Sequence, residues 1–272
     1  MSIFELFNIA QEKLPKNTLR EVPERYLKEP RNLIQGNKNS ILALPQSTDE
    51  VATIVNASRS VGVGIIPYSG GTGLVGGQVN PTDDPVLILS TSRMNKIRKI
   101  HQNERIVTVD SGVILENLQR EMEKYDLFFP LSLASQGSCQ IGGNLATNAG
   151  GVQVLKYGNI RELCLGVEAV LPNGEVYNGL KRLRKDNTGY DLKNLLIGSE
   201  GTLGIITGAS LRLFPKPNHV ATAMLSVNSP SIALELLNEA NYFFDYRVSS
   251  FELIGNKALE FVKKVLPNIS IP

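Results

Sequence analysis

Five of the eight residues from Gly70 to Gly77 are glycine, within the run Ile65-Ile66-Pro67-Tyr68-Ser69-Gly70-Gly71-Thr72-Gly73-Leu74-Val75-Gly76-Gly77. Glycine at this density packs no side chain and costs chain entropy. What it offers is backbone N–H groups that can close on a ligand, most often a phosphate. The run contains Gly71-x-Gly73-x-x-Gly76, the spacing of a Rossmann dinucleotide turn. That turn must open a helix at its last glycine, and the following stretch, Gln78 to Pro85, carries Pro81 and Pro85 in a polar cluster that forbids one. No acidic residue closes a second strand at the distance the fingerprint requires. The loop therefore reads either as a phosphate cradle of another kind or as a bland glycine-rich surface turn.

Two further clusters, Gly137–Gly151 and Gly198–Gly204, repeat the pattern. Each follows an apolar run and carries small hydroxyl or amide residues: Ser69 and Thr72 in the first; Ser138, Asn144, Thr147 and Asn148 in the second; Ser199 and Thr202 in the third. Three such segments suggest backbone converging on one large polar ligand whose phosphates need donors at close range. There is no Gly-Lys-Ser/Thr of a Walker A loop and no Gly-x-Ser-x-Gly elbow. Residue type and spacing go this far and no further: a binder of a large phosphorylated cofactor.

The elements that must hold these loops are legible from periodicity. Ile3 to Leu14 fits an amphipathic helix ended by Pro15 and Asn17, and a charged stretch from Arg20 to Arg31 follows. Ile41 to Pro45 is strand-like. Ser47-Thr48-Asp49-Glu50 starts a helix over about Asp49 to Ser60 with Val51, Ile54, Val55 and Ala57 inward. Strands are expected at Val63 to Pro67, Val86 to Ser90 and Arg105 to Gly112, and a helix over Val113 to Tyr125. Leu163 to Leu171 with Pro172-Asn173-Gly174-Glu175 signals a hairpin. Leu192 to Ile197 and Gly204 to Phe214 flank the third cluster. Beyond Pro215-Lys216-Pro217 come a strand-like Val220 to Val227 and helices from Ser231 to Asn241 and Asn256 to Val265.

At 272 residues and a net charge of +2, the chain has ample apolar content for a core and no charge excess suited to nucleic acid or an anionic membrane surface. No apolar run approaches a membrane span, and the N-terminus lacks the unbroken apolar core of a signal peptide. Cys139 and Cys164 form no CxxC pair and read as buried thiols in a reducing compartment, with a cytoplasmic location, or attachment to the periphery of the inner membrane, as the expectation. His101 and His219 lie apart from any acidic cluster, so neither a metal site nor a histidine-based acid/base device is expected.

Ser69 to Gly77 resembles the pyrophosphate loop of the FAD-binding domain of vanillyl-alcohol oxidase-type (PCMH-type) flavoproteins. Ile141-Gly142-Gly143-Asn144-Leu145-Ala146-Thr147-Asn148-Ala149-Gly150-Gly151 with Tyr157-Gly158 resembles the second signature of that family, and Gly198-Ser199-Glu200-Gly201-Thr202-Leu203-Gly204-Ile205-Ile206-Thr207 the third. The likeness covers about residues 37 to 217 in the right order. Within the family, Gly137 to Gln140 and Leu183 to Leu192 look most like the D-2-hydroxyglutarate dehydrogenases, with D-lactate dehydrogenases and the glycolate oxidase flavin subunit nearby.

The resemblance implies an α+β fold of two lobes, about 37–95 and 96–217, after an N-terminal helical segment at 1–36 and before a partial cap domain at 218–272. It implies that Ser69, Gly70, Gly71, Thr72, Gly73, Gly76 and Gly77 hold the FAD pyrophosphate. Gly137, Ser138, Gly142, Gly143, Asn148 and Gly151 would line the flavin and ribityl side, with Leu131 and Ile141 packing on the ring. Glu200, Gly201, Gly204 and Ile206 would close the adenosine side. Pro67, Leu74, Ala146, Thr147, Gly150, Gly158 and Ile205 complete the implied set. Relatives that bond FAD covalently from the first loop place histidine where this chain has Thr72, so non-covalent FAD is implied.

In such enzymes FAD takes a hydride from a 2-hydroxy acid and passes electrons to an acceptor of quinone or electron-transfer-flavoprotein type. The substrate carboxylate wants arginine and the hydroxyl a base. The resemblance puts those groups in a C-terminal substrate domain, which here has only begun. The basic run Arg182, Arg184 and Lys185 reads as a solvated face. Two readings stay open: the cofactor half of a FAD-dependent 2-hydroxy-acid dehydrogenase, or a FAD-binding fragment or split-enzyme subunit silent on its own, completed by a second chain. Exposed apolar surface in the C-terminal stretch is a further expectation.

Overall fold

Ser47 caps a helix as its residue type suggests. In the computed structural model, which describes residue 8 and residues 12–270, helix α1 spans Thr48–Val61 and the Ser47 hydroxyl accepts from the Glu50 amide at 3.2 Å. Asp49 and Glu50 occupy the first turn, where carboxylates complement the helix dipole. The helix read over Ile3 to Leu14 lies almost wholly outside the described residues.

Helix α1 buries Val51, Ile54, Val55 and Val61 against a sheet of four short strands: β1 (Leu19–Glu21), β2 (Ile41–Ala43), β3 (Ile65–Tyr68) and β4 (Leu87–Ser90). Their order is β1-β2-β4-β3, with β2 and β3 parallel to β4 and β1 antiparallel to β2. Strand β1 falls in the stretch read only as charged. It shows that the residues before 37 contribute to this sheet and are not merely a helical leader.

The second sheet is antiparallel and larger. It runs β5-β6-β10-β8-β9, from β5 (Ile97–His101), β6 (Ile106–Asp110), β8 (Cys164–Val170), β9 (Val176–Gly179) and β10 (Ile205–Arg212), while a small pair joins β7 (Leu127–Phe128) to β11 (Phe214–Pro215). The hairpin signal at Pro172 to Glu175 becomes the β8–β9 turn. Helix α2 (Leu115–Glu123) lays Leu115, Leu118 and Met122 on the main core with Val107, Val109, Phe129 and Leu145. The helices α3 (Ile141–Ala146), α4 (Val154–Tyr157), α5 (Ile160–Leu163) and α6 (Leu192–Leu196) are short and lie in or beside the second and third glycine clusters. Helix α3 escaped the sequence reading because two glycines in six residues lower its intrinsic propensity, which tertiary packing overrides. The architecture is α+β, two sheets with helices, as the family resemblance implies.

The two sheets share a core. Val170 of β8 and Ile205 of β10 pack with α1 and β4. A charged cluster reinforces the junction: Arg98 bonds Asp110 at 2.5 Å and Glu168 at 2.8 Å, and Glu168 also accepts from Thr48 of α1 at 2.6 Å and Thr207 of β10 at 2.8 Å. Burial pushes the Glu168 carboxyl up, and the hydrogen bonds from Arg98, Thr48 and Thr207 outweigh it, leaving it below the ordinary carboxylate range.

Beyond β11 the chain thins out. Helices α7 (Pro230–Phe243) and α8 (Asn256–Val265) form where periodicity places them, yet Ala233 is the only buried residue from 216 to 270. The strand expected at Val220 to Val227 is absent. A strand needs a neighbour to satisfy its backbone, and among the described residues none pairs with it. Among the described residues no helix is long and apolar enough to cross a membrane.

Candidate functional site

The first glycine cluster leaves the carboxyl end of β3, and Thr91 leaves that of β4, the next strand in the sheet. The carboxyl ends of parallel strands are where open α/β sheets place ligands. There an open cleft lies between the first cluster and α3.

Sixteen of the residues singled out from sequence line this cleft: Pro67, Ser69 to Gly73 and Gly77 from the first cluster; Gly142, Gly143, Ala146 and Thr147 from the second; Glu200, Gly201, Gly204, Ile205 and Ile206 from the third. The three clusters thus meet, and specific bonds make them meet. The Ser69 hydroxyl donates to Gln140 at 3.1 Å and accepts from the Gly143 amide at 3.0 Å. The amides of Gly198 and Glu200 donate to the carbonyls of Leu145 and Ala146, at 3.0 and 2.9 Å, satisfying the end of α3. Arg161 spans from the second cluster to the third, donating to the carbonyls of Asn194 at 2.6 Å and Ile197 at 2.7 Å.

Some of these glycines serve the joint itself. A Cβ on Gly70 would lie 2.5 Å from the Ser138 carbonyl oxygen and 2.7 Å from Cys139 Cα, so only glycine lets the first loop lie on the second. Gly73 is different: a Cβ there would meet nothing closer than the Gln78 side chain at 3.6 Å.

Ten of the proposed residues stand outside the lining. Leu131 and Ile141, expected to pack on a flavin ring, are instead buried in the main core with Leu118 and Phe129. Core packing claims them because both are apolar and flank the backbone that enters α3. Gly137 and Ser138 are exposed behind the joint, and Gly151 lies under the Ser132 carbonyl. Asn148 caps the turn into α5 by accepting from the Arg161 amide at 3.2 Å, Gly150 abuts Asn159, and Gly158 ends α4. Leu74 is exposed and Gly76 is buried against Ile34, and neither is part of the cleft lining.

Seven lining residues were outside the implied cofactor-binding set: Tyr68, Val75, Gln78, Thr91, Cys139, Gln140 and Asn144. Thr91 had a usable signal, its place after a parallel strand. Cys139 is buried, and Asn144 donates to its sulfur at 3.6 Å. The second thiol, Cys164, is buried away from the cleft, and burial pushes it up to about 12. The basic run is tied up on the surface, with Arg182 paired to Glu104 at 2.5 Å and close to His101, and Lys181 paired to Asp186.

The donor set suits a dinucleotide. Among the described residues, none of the eight backbone amides from Gly70 to Gly77 donates to another protein group. All of these residues but Gly76 are partly or fully exposed, so their unpaired amides stay available to a ligand in the cleft. Among the described residues the Thr91 hydroxyl is buried and unpartnered, on a residue that lines the same cleft. Ile205, Ile206 and Val75 supply apolar wall.

Comparison with known proteins agrees. The chain matches the FAD binding domain family over residues 40–179. It is 42% identical over 233 residues to the mitochondrial D-2-hydroxyglutarate dehydrogenase of Danio rerio, covering 86% of this chain and 43% of that protein. A D-2-hydroxyglutarate–pyruvate transhydrogenase of Saccharomyces cerevisiae is 36% identical, with 88% and 47% covered. The chain thus spans under half the length of these relatives. Among solved structures, an alkyldihydroxyacetonephosphate synthase superposes with a TM-score of 0.70 at 26% identity, covering 80% of this chain and 42% of that one. A pollen glucose dehydrogenase, Phl p 4, shares the fold at a TM-score of 0.66 and 20% identity, with 78% and 44% covered. With a family match across half its length, this chain belongs to the FAD-binding domain family of PCMH type.

Proposed function

We propose that this chain is the cofactor-binding part of a FAD-dependent dehydrogenase that oxidises a D-2-hydroxy acid such as D-2-hydroxyglutarate, D-lactate or glycolate. The observation that carries the reading is a cleft floored by α3 and edged by the first loop, where among the described residues no amide from Gly70 to Gly77 donates to another protein group. Those amides would hold the pyrophosphate, and the Thr91 hydroxyl would add a donor from the end of β4. Thr72 lines the cleft without an imidazole or thiol, which supports non-covalent binding. FAD, when bound, supplies a two-electron acceptor for the hydride; the protein's part is position and electrostatics.

The names of the relatives support the substrate class. Among the described residues, the arginine and base that a 2-hydroxy acid requires are not gathered in the cleft, whose lining holds Glu200 as its one charged side chain. We therefore assign substrate capture to polypeptide corresponding to the rest of those relatives, joined to this chain or separate. The bare apolar surfaces of α7 and α8, with Phe243, Phe261 and Val265 exposed, favour this split reading. In it, residues 37–95 and 96–217 are the two lobes of the FAD domain and 218–272 begins the cap. An acceptor of quinone or electron-transfer-flavoprotein type would take the electrons. Both cysteines are free and buried, in keeping with a reducing cytoplasm. The name of the Danio rerio relative places that protein in mitochondria, and cell fractionation discriminates.

A visible spectrum of the purified chain tests the core of this. The expected result is a flavin spectrum whose chromophore is released by acid, and no bleaching under anaerobic D-2-hydroxyglutarate until the missing portion is supplied. A colourless protein that takes up no added FAD sinks the reading. Bleaching by the chain alone would show that the substrate groups lie within it.

A further inference from the structure

The first glycine loop has almost no internal bonding to set its shape, so its shape must come from outside. A peptide unit is planar and trans, with C=O and N–H pointing opposite ways. Whatever holds a loop carbonyl therefore aims the next residue's amide. The carbonyl of Leu74 accepts from the guanidinium of Arg31, and that of Gly76 accepts from the Val79 amide at 3.0 Å. Neither donor lines the cleft, whereas Val75 and Gly77, which own the opposed amides, both do.

Arg31 sits on a turn that is locked on itself. The Asn32 amide donates to the Glu29 carbonyl at 2.8 Å, with Asn32 in the left-handed region at φ 56°. The Glu29 side chain is buried, the residue being 2% exposed, and accepts from the amides of Arg31 at 2.7 Å and Leu33 at 2.6 Å. It also lies 3.6 Å from the Arg31 Nε. A buried carboxylate is costly unless bonded, and all these partners lie within the turn. Its base is closed by the Gly36 amide on the Leu27 carbonyl at 2.7 Å. One residue after Leu33, the side chain of Ile34 presses on Gly76, where a Cβ would collide with it and where φ is 81°. The turn thus touches the loop twice across more than 40 residues of sequence.

We infer that the turn Glu29–Leu33 sets the peptide planes of the first glycine loop, with Arg31 the positioning residue for a bound pyrophosphate and Glu29 the group that holds Arg31. The inference rests on the reading of that loop as the FAD pyrophosphate site. It assigns a cofactor-directed task to a stretch whose sequence looks like a solvated charge run.

Titration of the apoprotein with FAD, ADP and riboflavin tests it, because riboflavin lacks the pyrophosphate. Arg31→Ala should weaken FAD and ADP about tenfold, as loss of an oriented, charge-assisted bond would, and leave riboflavin within about twofold. Arg31→Lys should recover most of that loss, since an ammonium can also donate to the Leu74 carbonyl. Glu29→Gln should show the same selectivity at smaller size. A merely structural role would move riboflavin and the thermal midpoint of the apoprotein as much as FAD, and that result overturns the inference. So does FAD binding by Arg31→Ala within about twofold of the parent. If Arg31→Ala does not fold, the Lys and Gln variants decide alone by the same criteria. A parent chain that takes up no FAD would instead overturn the proposed function, and this inference with it.

Discussion

The first glycine loop and the block formed by the second and third clusters look alike on paper and behave as opposites. In the block, backbone groups are spent on the protein itself: Gly142 donates to Ser111, Ala149 to Asn144, Gly198 to Leu145 and Glu200 to Ala146. From Gly70 to Gly77, among the described residues, no amide is so used. One region is a scaffold with satisfied donors, and the other is a donor array held from behind. Glycine enables both, by close approach at Gly70 and by leaving space open at Gly73. A high glycine count alone therefore does not say where the ligand binds; the partners of the amides do.

Substitutions can pull the two roles apart. The largest effect is expected at the joint. Gly70→Ala puts a Cβ 2.5 Å from the Ser138 carbonyl oxygen, against backbone that cannot swing aside, and should lower stability by about 3 kcal/mol in urea unfolding. An unchanged midpoint would mean the loops do not lie on each other in solution. Arg161→Ala removes two bonds to carbonyls at 2.6 and 2.7 Å that bind the third cluster to the second. It should cost about 2 kcal/mol, and protection against hydrogen exchange should fall at residues 194–200 more than at 70–77.

Charge at the junction of the sheets should appear as acid sensitivity. The Glu168 carboxyl is held below its ordinary value by Arg98, Thr48 and Thr207 against the cost of burial. A depressed carboxyl stabilises the fold above its unfolded pKa of about 4.3, and that contribution is lost as the pH falls through the lower folded value. Thermal midpoints measured downward from neutral pH should fall across that window. They should fall less steeply in Glu168→Gln, which starts lower; parallel profiles would refute the assignment.

The smallest stability effect is expected at Gly73→Ala, within about 0.5 kcal/mol, because nothing stands in the way of the new methyl. FAD affinity should nonetheless drop, since the methyl enters the space in front of the free amides. A variant that loses stability and keeps FAD would reverse the roles assigned here.

Much of the fold could be read in advance, for local reasons. Ser47 caps α1, Gly174 turns the β8–β9 hairpin, and the stripe Leu115, Leu118 and Met122 goes inward. Strand β1 and the turn at Glu29 were hidden because short segments rich in charge carry little periodicity, and each is made by its partner. The opposite error came at Val220 to Val227, where strand-like composition has no strand beside it. Among site residues, the three clusters are local backbone signals and were found together. Thr91 lines the same cleft from outside the clusters, placed there by the end of a parallel strand.

By itself, then, the sequence determined which segments must be backbone-rich, which strands and helices flank them, and, through Ser69 to Gly77 with its two companion signatures, the flavin-binding family. These are properties of local conformational freedom and residue order. Only the tertiary structure decided which glycines line the cleft and which pack against other backbone, put Leu131 and Ile141 in the core, and brought Arg31 to the back of a loop 43 residues away. The physical reason is that an amide's or a methylene's role depends on what lies opposite it, and that neighbour is set by the packing of distant segments.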